Sequence, residues 1–223
     1  PRLLFSSSCA VYGDSHGAHA DESFATAPQT AYARSKIAAE QQLLELGDND
    51  FSVCVLRNAT AYGHSPALRT DLVFNDFVSR LATENKVHLL SNGGAHRPLI
   101  HCRDIARAFL CCAEAAQEVI SGQIINVGDA AQNIKVMDLA RMICAKRDGG
   151  DLVFSETAGT DQRDYLVDFS KLRRILPNFS VNYSLSAEVD YLLDSCDKRP
   201  NLADELVAGR YSRLQQLKNR LDF

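Results

Sequence analysis

The sequence predicts an α/β protein built on a parallel sheet, and three stretches carry that prediction. Leu3-Leu4-Phe5-Ser6-Ser7-Ser8 is an apolar run that turns polar at its carboxyl end, and Phe51-Ser52-Val53-Cys54-Val55-Leu56-Arg57 is apolar on both alternating sets of positions. Between them, residues 31–46 hold the helix formers Ala31, Ala33, Ile37, Ala38, Leu43 and Leu44, and Gly47-Asp48-Asn49 stops the run. Strands apolar on both faces belong to parallel sheets covered on both sides. Strand, helix, strand is a βαβ unit. Open sheets of this kind bind ligands at the carboxyl ends of their strands, which is where the three serines fall.

The remaining elements follow in order. Residues 2–7 form the first strand and 13–30 a loop rich in small polar residues, with Gly13, Gly17 and Pro28. After the second strand comes Asn58-Ala59-Thr60-Ala61-Tyr62-Gly63, a polar loop to Thr70, and a helix from Asp71 to about Asn85 with an acid at its start. Val87–Leu90 reads as a short strand, Ser91-Asn92-Gly93-Gly94 as a turn, and Arg97–His101 as an extended segment. Asp104 is expected to cap a helix running to about Glu118, with Ile105, Ala108, Phe109 and Cys112 as its apolar stripe. Gln123–Gly128 is another buried strand. Helix 136–147, strand 151–154, a short helix over Ser170–Leu176, and helices near 185–195 and 204–220 complete the chain.

Composition narrows the function. With 223 residues and 46% hydrophobic content the chain can bury a sizeable core. A net charge of -4 with no long basic run argues against a nucleic-acid surface. No apolar run approaches the ~20 residues that cross a bilayer, and no signal-peptide pattern stands at the start, so a soluble, cytoplasmic protein is expected. The seven cysteines contain no C-x-x-C pair, and most sit in apolar runs, so neither disulfides nor a metal site is expected. His16-Gly17-Ala18-His19 reads as a solvated loop.

The stretch with chemistry is Tyr32-Ala33-Arg34-Ser35-Lys36. A phenol and an ammonium four residues apart share one helix face. The ammonium favours the phenolate, which suits the phenol to general acid or base work. Alone, this spacing also describes an ordinary exposed pair.

Taken with its surroundings, the chain resembles the extended short-chain dehydrogenase/reductase family of nucleotide-sugar epimerases and dehydratases. Ser6-Ser7-Ser8-Cys9-Ala10-Val11-Tyr12-Gly13 is similar to the family's catalytic serine segment and Tyr32/Lys36 to its Tyr-x-x-x-Lys. Arg97-Pro98-Leu99-Ile100-His101-Cys102-Arg103-Asp104 and Asn126-Val127-Gly128 resemble two later signatures. The resemblance implies the later part of a Rossmann-like doubly wound parallel sheet over 1–63 and 99–129, and a smaller α/β substrate domain over 64–98 and 130–223. It implies NAD, or NADP, as cofactor and a nucleotide-diphosphate sugar as substrate, in a homodimeric parent. Tyr32 would exchange a proton with a sugar hydroxyl, Lys36 would hold the nicotinamide ribose, and Ser8 would hydrogen-bond the reacting oxygen. Cofactor contacts are expected from Ser6, Ser7, Tyr32, Lys36, Asn58 and Ala59. Substrate contacts are expected from Ser8, Thr60, Arg97, Arg163 and Asp164, with the arginines on the diphosphate and Asp164, in Gln162-Arg163-Asp164-Tyr165, on a ribose or behind an arginine. His101 and Asp104 are expected to be structural.

Departures from the family pattern bear on the reaction. Sugar 4,6-dehydratases carry Asp-Glu directly after the catalytic hydroxyl, where this chain has Cys9 and Ala10, and many relatives place asparagine where it has Thr60. Redox chemistry at one carbon is therefore expected, by a 4-epimerase or a 4-ketoreductase. The glycine fingerprint that receives the pyrophosphate is absent, so the chain is expected to be the later part of a longer enzyme, inactive in isolation. A non-catalytic binding module and a hydrolase using Cys9 as nucleophile are the rival readings.

Overall fold

The computed structural model describes every residue except 67, 160–162 and 222–223, and no side chain of 156–159 or 214. It is mixed α/β with parallel sheets, as expected, and divides into two compact units. The first comprises Pro1–Ala61, Ala95–Ile134 and Asp161–Asn182, and the second Tyr62–Gly94, Lys135–Thr160 and Tyr183–Phe223.

In chain order the elements are strands β1 (Arg2–Ser8) and β2 (His19–Ala20), helix α1 (Ala31–Glu45), strands β3 (Ser52–Asn58) and β4 (Thr60–Tyr62), helix α2 (Val73–Glu84), and strands β5 (Lys86–Ser91) and β6 (His96–His101). Helices α3 (Cys102–Glu114) and α4 (Gln117–Ile120), strands β7 (Ile124–Val127) and β8 (Asn133–Lys135), helix α5 (Val136–Cys144), and strands β9 (Asp151–Gly159) and β10 (Leu166–Val167) follow. Helices α6 (Ser170–Ile175), α7 (Leu185–Asp197), α8 (Leu202–Val207) and α9 (Arg213–Leu221) end the chain.

The first unit is organised by the parallel sheet β1-β3-β7, whose register sets Ser6, Ser7 and Ser8 beside Leu56, Arg57 and Asn58. Every residue of β3 is buried, which is why its sequence shows no alternation. Tyr12, Leu56, Ile100, Ile125, Val127 and Phe169 are among the core residues. In the second unit α2 packs against α5, α7 and β5, and β5 pairs with β9 in parallel.

Several expectations are corrected. His101, not Asp104, caps α3: its Nδ1 accepts from the Arg103 N–H at 3.1 Å. Asp104 lies buried in the first turn, accepting from Asn182 N at 3.1 Å and pairing with Arg107 at 3.1 Å. That helix stops at Glu114 because Ala115 turns extended (φ -64, ψ 152), and a separate short helix follows. Asp71 does not lead α2, whose N-cap is Leu72; its carboxylate grips Arg69 at 2.7 Å. The helix expected over 204–220 breaks into two around Gly209, which takes a positive φ of 69°. The segment Asp161–Asn182 falls in the first compact unit, where Leu166 and Val167 pair with His19 and Ala20. Strand β9 runs to Gly159, past the expected 154, and β2, β4, β8 and β10 are too short for periodicity to announce.

Candidate active site

The site begins at the carboxyl end of β1. Ser8 leaves the strand in extended conformation (φ -148, ψ 141) and its Oγ accepts from the Ala10 N–H at 3.2 Å, capping a 3-10 turn over Cys9–Tyr12. Gly13 ends that turn, and the loop beyond folds back so that Ala27 N donates to Val11 O at 3.0 Å. Helix α1 starts from Thr30, whose Oγ1 accepts from Ala33 N at 3.1 Å. Tyr32 therefore stands in its first turn, half exposed.

Lys36 lies one turn further on. Its Nζ donates to Ser6 O at 2.7 Å and stands 5.6 Å from the Tyr32 ring centroid and 4.9 Å from that of Phe5. The phenol and the ammonium share the helix face that spacing predicted, and the ammonium is tied to the serine strand.

Asn58 ends β3 beside them. Its Nδ2 donates to Ser6 Oγ at 3.1 Å and to Ser7 O at 3.2 Å, while its Oδ1 is buried without a hydrogen-bond partner. A buried acceptor left unsatisfied is costly, so this atom suits a ligand donor. Ala59 is buried, its N–H donating to Val127 O at 2.9 Å. An ammonium, a hydroxyl and a buried, unsatisfied amide oxygen thus stand together at the ends of β1 and β3, groups of the kind that would hold the nicotinamide half of a cofactor.

The Ser7 hydroxyl is buried and donates to Glu40. Cys9 also points inward: its thiol is buried, meets Arg57 O at 3.1 Å, and burial drives its pKa upward. A thiol so placed is inert, which removes the hydrolase reading.

Beneath the serines lies a polar network that sequence reasoning missed. The Arg57 guanidinium reaches Glu40 at 2.7, 3.1 and 3.2 Å and Tyr12 Oη at 3.1 Å, and Tyr12 donates to Asn126 Oδ1 at 2.7 Å. Burial works against the Arg57 charge, but the Glu40 hydrogen bonds and the nearby Tyr12 oxygen outweigh it and raise its pKa. Glu40 continues the four-residue spacing of Tyr32 and Lys36. That was its available signal, but a glutamate on a helix is ordinarily read as solvated.

The expected substrate residues also gather in the first unit. Thr60 hydrogen-bonds Tyr165, and Arg97 lies over the Tyr165 ring at 5.5 Å. Arg97 donates to His96 O at 2.7 Å and to the Arg163 carbonyl. The Asp164 carboxylate accepts from His96 N at 2.8 Å and meets His96 Nδ1 at 3.0 Å. Asp164 thus orients an imidazole as well as standing next to an arginine, and His96 had not been singled out. Gln162 lies outside the described residues. Among the described residues no three His, Cys, Asp or Glu side chains come together that could hold a metal, and no helix is long and apolar enough to cross a membrane.

Residues 1–128 match the NAD dependent epimerase/dehydratase family, more than half of the chain. The chain belongs to that family. It is 26% identical over 188 residues to the mouse dTDP-D-glucose 4,6-dehydratase, a match covering 84% of this chain and 48% of that protein. Among solved structures, an NAD-dependent NDP-hexosamine 5,6-dehydratase of tunicamycin biosynthesis superposes with a TM-score of 0.78 at 19% identity, covering 89% of this chain and 64% of the other. The UDP-glucuronic acid 4-epimerase from Bacillus cereus, solved with UDP-glucuronic acid and NAD, superposes with a TM-score of 0.72 at 21% identity, covering 88% and 62%. The chain spans about half the length of the curated relatives it matches. The shared fold is the Rossmann-like one expected from the four motifs.

For the family member described here, the loop between the 3-10 turn and α1 carries a testable electrostatic feature. Glu22 Oε1 accepts from Asn126 N at 2.7 Å, yet burial outweighs that bond and holds its carboxyl above the usual range. A raised carboxyl pKa means that ionisation costs the folded state more than the unfolded one. The penalty is absent below the ordinary pKa and complete above the raised one. Glu22→Gln keeps an oxygen for Asn126 and removes the charge. It should match wild-type stability below about pH 4 and exceed it increasingly towards pH 7 in denaturant melts. A stability difference that does not change with pH would contradict this.

Proposed function

We propose that this protein is an NAD(P)-dependent nucleotide-sugar 4-epimerase in which Tyr32 carries the sugar proton. The observation that supports this reading best is what stands at the end of β1. Lys36 joins the Tyr32 ring to the serine strand through Ser6 O, while Cys9 turns its thiol into the core and Ala10 has nothing to titrate. Oxidising a carbinol requires its hydroxyl proton to leave as hydride leaves the same carbon. NAD, when bound, supplies the hydride acceptor.

Tyr32 takes the hydroxyl proton and Ser8 hydrogen-bonds the reacting oxygen, with the Lys36 ammonium beside the Tyr32 ring. Lys36, Ser6, Asn58 and Ala59 would hold the nicotinamide half of the cofactor. Arg97 and Arg163 would grip the diphosphate, with Thr60 and Asp164 beside them. The keto-sugar turns over, and Tyr32 returns the proton to the same oxygen. Elimination of water would need a further acid and base past Ser8, and neither neighbour supplies them. A 4-ketoreductase would use the same residues for the reduction alone. A binding module would have no use for the intact Ser8, Tyr32 and Lys36 set.

The test incubates the full-length protein with NAD and a panel of UDP-, dTDP-, GDP- and CDP-hexoses, and in a second arm with NAD(P)H and a nucleotide 4-keto-sugar, and weighs the products. An epimer keeps the substrate mass with no net NADH formed. Loss of one water would overturn the reading, and stoichiometric NAD(P)H consumption on a 4-keto-sugar, with no epimer formed, would replace it with the ketoreductase.

A further inference from the structure

We infer that the buried Glu40–Arg57 pair is a positioning device that sets helix α1 against the serine strand, and so sets Tyr32 against Ser8; the inference rests on the site reading above. Tyr32, Lys36 and Glu40 follow one another at four-residue intervals and so share one helix face. Each of the last two holds a different residue of β1. Lys36 donates to Ser6 O at 2.7 Å, and Glu40 accepts from the Ser7 hydroxyl. The next residue of the strand is Ser8. Two consecutive clamps on the strand thus fix how far along β1 the helix sits, and the third residue of the face, Tyr32, is carried to its place by the same register.

The Glu40 clamp is anchored from behind. Arg57, on the neighbouring strand, closes on both oxygens of its carboxylate, with 2.7 Å the shortest contact. From there the network runs through Tyr12 Oη to Asn126 on β7, and the Arg57 carbonyl receives the Cys9 thiol at 3.1 Å. It therefore holds both ends of the 3-10 turn that Ser8 caps. The two charged side chains are 5% and 3% exposed. A buried ion pair is often no better for stability than apolar side chains of the same volume, so stability alone is a weak reason for this one. Geometry is a stronger one, because small misplacements of reacting groups cost about 10²-fold in rate.

The experiment compares wild type with Glu40→Met/Arg57→Met and with Ser7→Ala in the full-length protein. The double variant removes both charges together and leaves neither unpaired. Ser7→Ala cuts only the link from Glu40 to the strand. Each is measured for NAD and nucleotide-sugar affinity, for the single-turnover rate, and for amide exchange over residues 8–12 and 31–36. The expected result is a rate lowered roughly 10-fold or more in the double variant and about 3-fold or more in Ser7→Ala. Affinities should stay within about 3-fold. Exchange should rise in those two segments while β3 keeps its protection. If the double variant does not fold, Ser7→Ala decides alone. Wild-type rates with unchanged exchange would overturn the inference, and so would a rise in exchange spread evenly over the first unit, which marks a merely structural pair. A wild-type protein that turns over no nucleotide sugar would instead sink the functional reading, and the exchange arm would still decide the positioning.

Discussion

Tyr32→Phe in the full-length protein should lower kcat by roughly 10²–10⁴-fold, the usual contribution of a general acid or base. The substitution deletes one hydroxyl and leaves the ring in place. Helix α1 does not depend on that hydroxyl: it is capped by Thr30, and the Tyr32 carbonyl, not its phenol, accepts from Ser35 at 2.8 Å. The residue is 54% exposed, so its loss leaves no cavity. Melting temperature should therefore stay near wild type, and nucleotide-sugar affinity should remain within about 3-fold, because only an interaction made in the transition state is lost. Measuring kcat, KM and Tm on the same preparation separates these effects. A variant with wild-type kcat would exclude Tyr32 as the acid/base.

The largest effect on stability is expected from Gly13→Ala. Gly13 has a φ of 70°, where a side chain is strained by about 1–2 kcal/mol. A Cβ built there would lie 2.1 Å from the carbonyl oxygen of Ala27, a backbone atom that cannot swing aside. Relief would pull the loop off the serine turn, against the bond from Ala27 N to Val11 O. We expect a loss of about 2–4 kcal/mol, which for a chain of this size lowers Tm by roughly 5–15 °C. Gly17 is the internal control. Its φ is 80°, but a Cβ there meets nothing within 4 Å, so Gly17→Ala should cost only the strain of the backbone. Equal Tm losses for the two variants, read by calorimetry, would show that the approach of Ala27 is not what demands glycine.

The sequence by itself determined the α/β class, the parallel sheet and the shared helix face of Tyr32 and Lys36. Those follow from local rules: β3 reads as buried because it is buried on both faces, and Tyr32 and Lys36 share a face because the helix repeat puts them there. Four motifs in order were enough to identify the family, and with it the serine segment. Local rules failed where a side chain's partner lies far along the chain. Asp104 looked like a helix cap, but its carboxylate is claimed by Asn182, 78 residues away, and His101 caps instead. Ser7 looked like its neighbours Ser6 and Ser8 until the fold brought Glu40 over it. Only the tertiary structure decided that Glu40 and Arg57 are buried together, because the desolvation of a charge depends on which strands close over it, and no spacing along the chain records that.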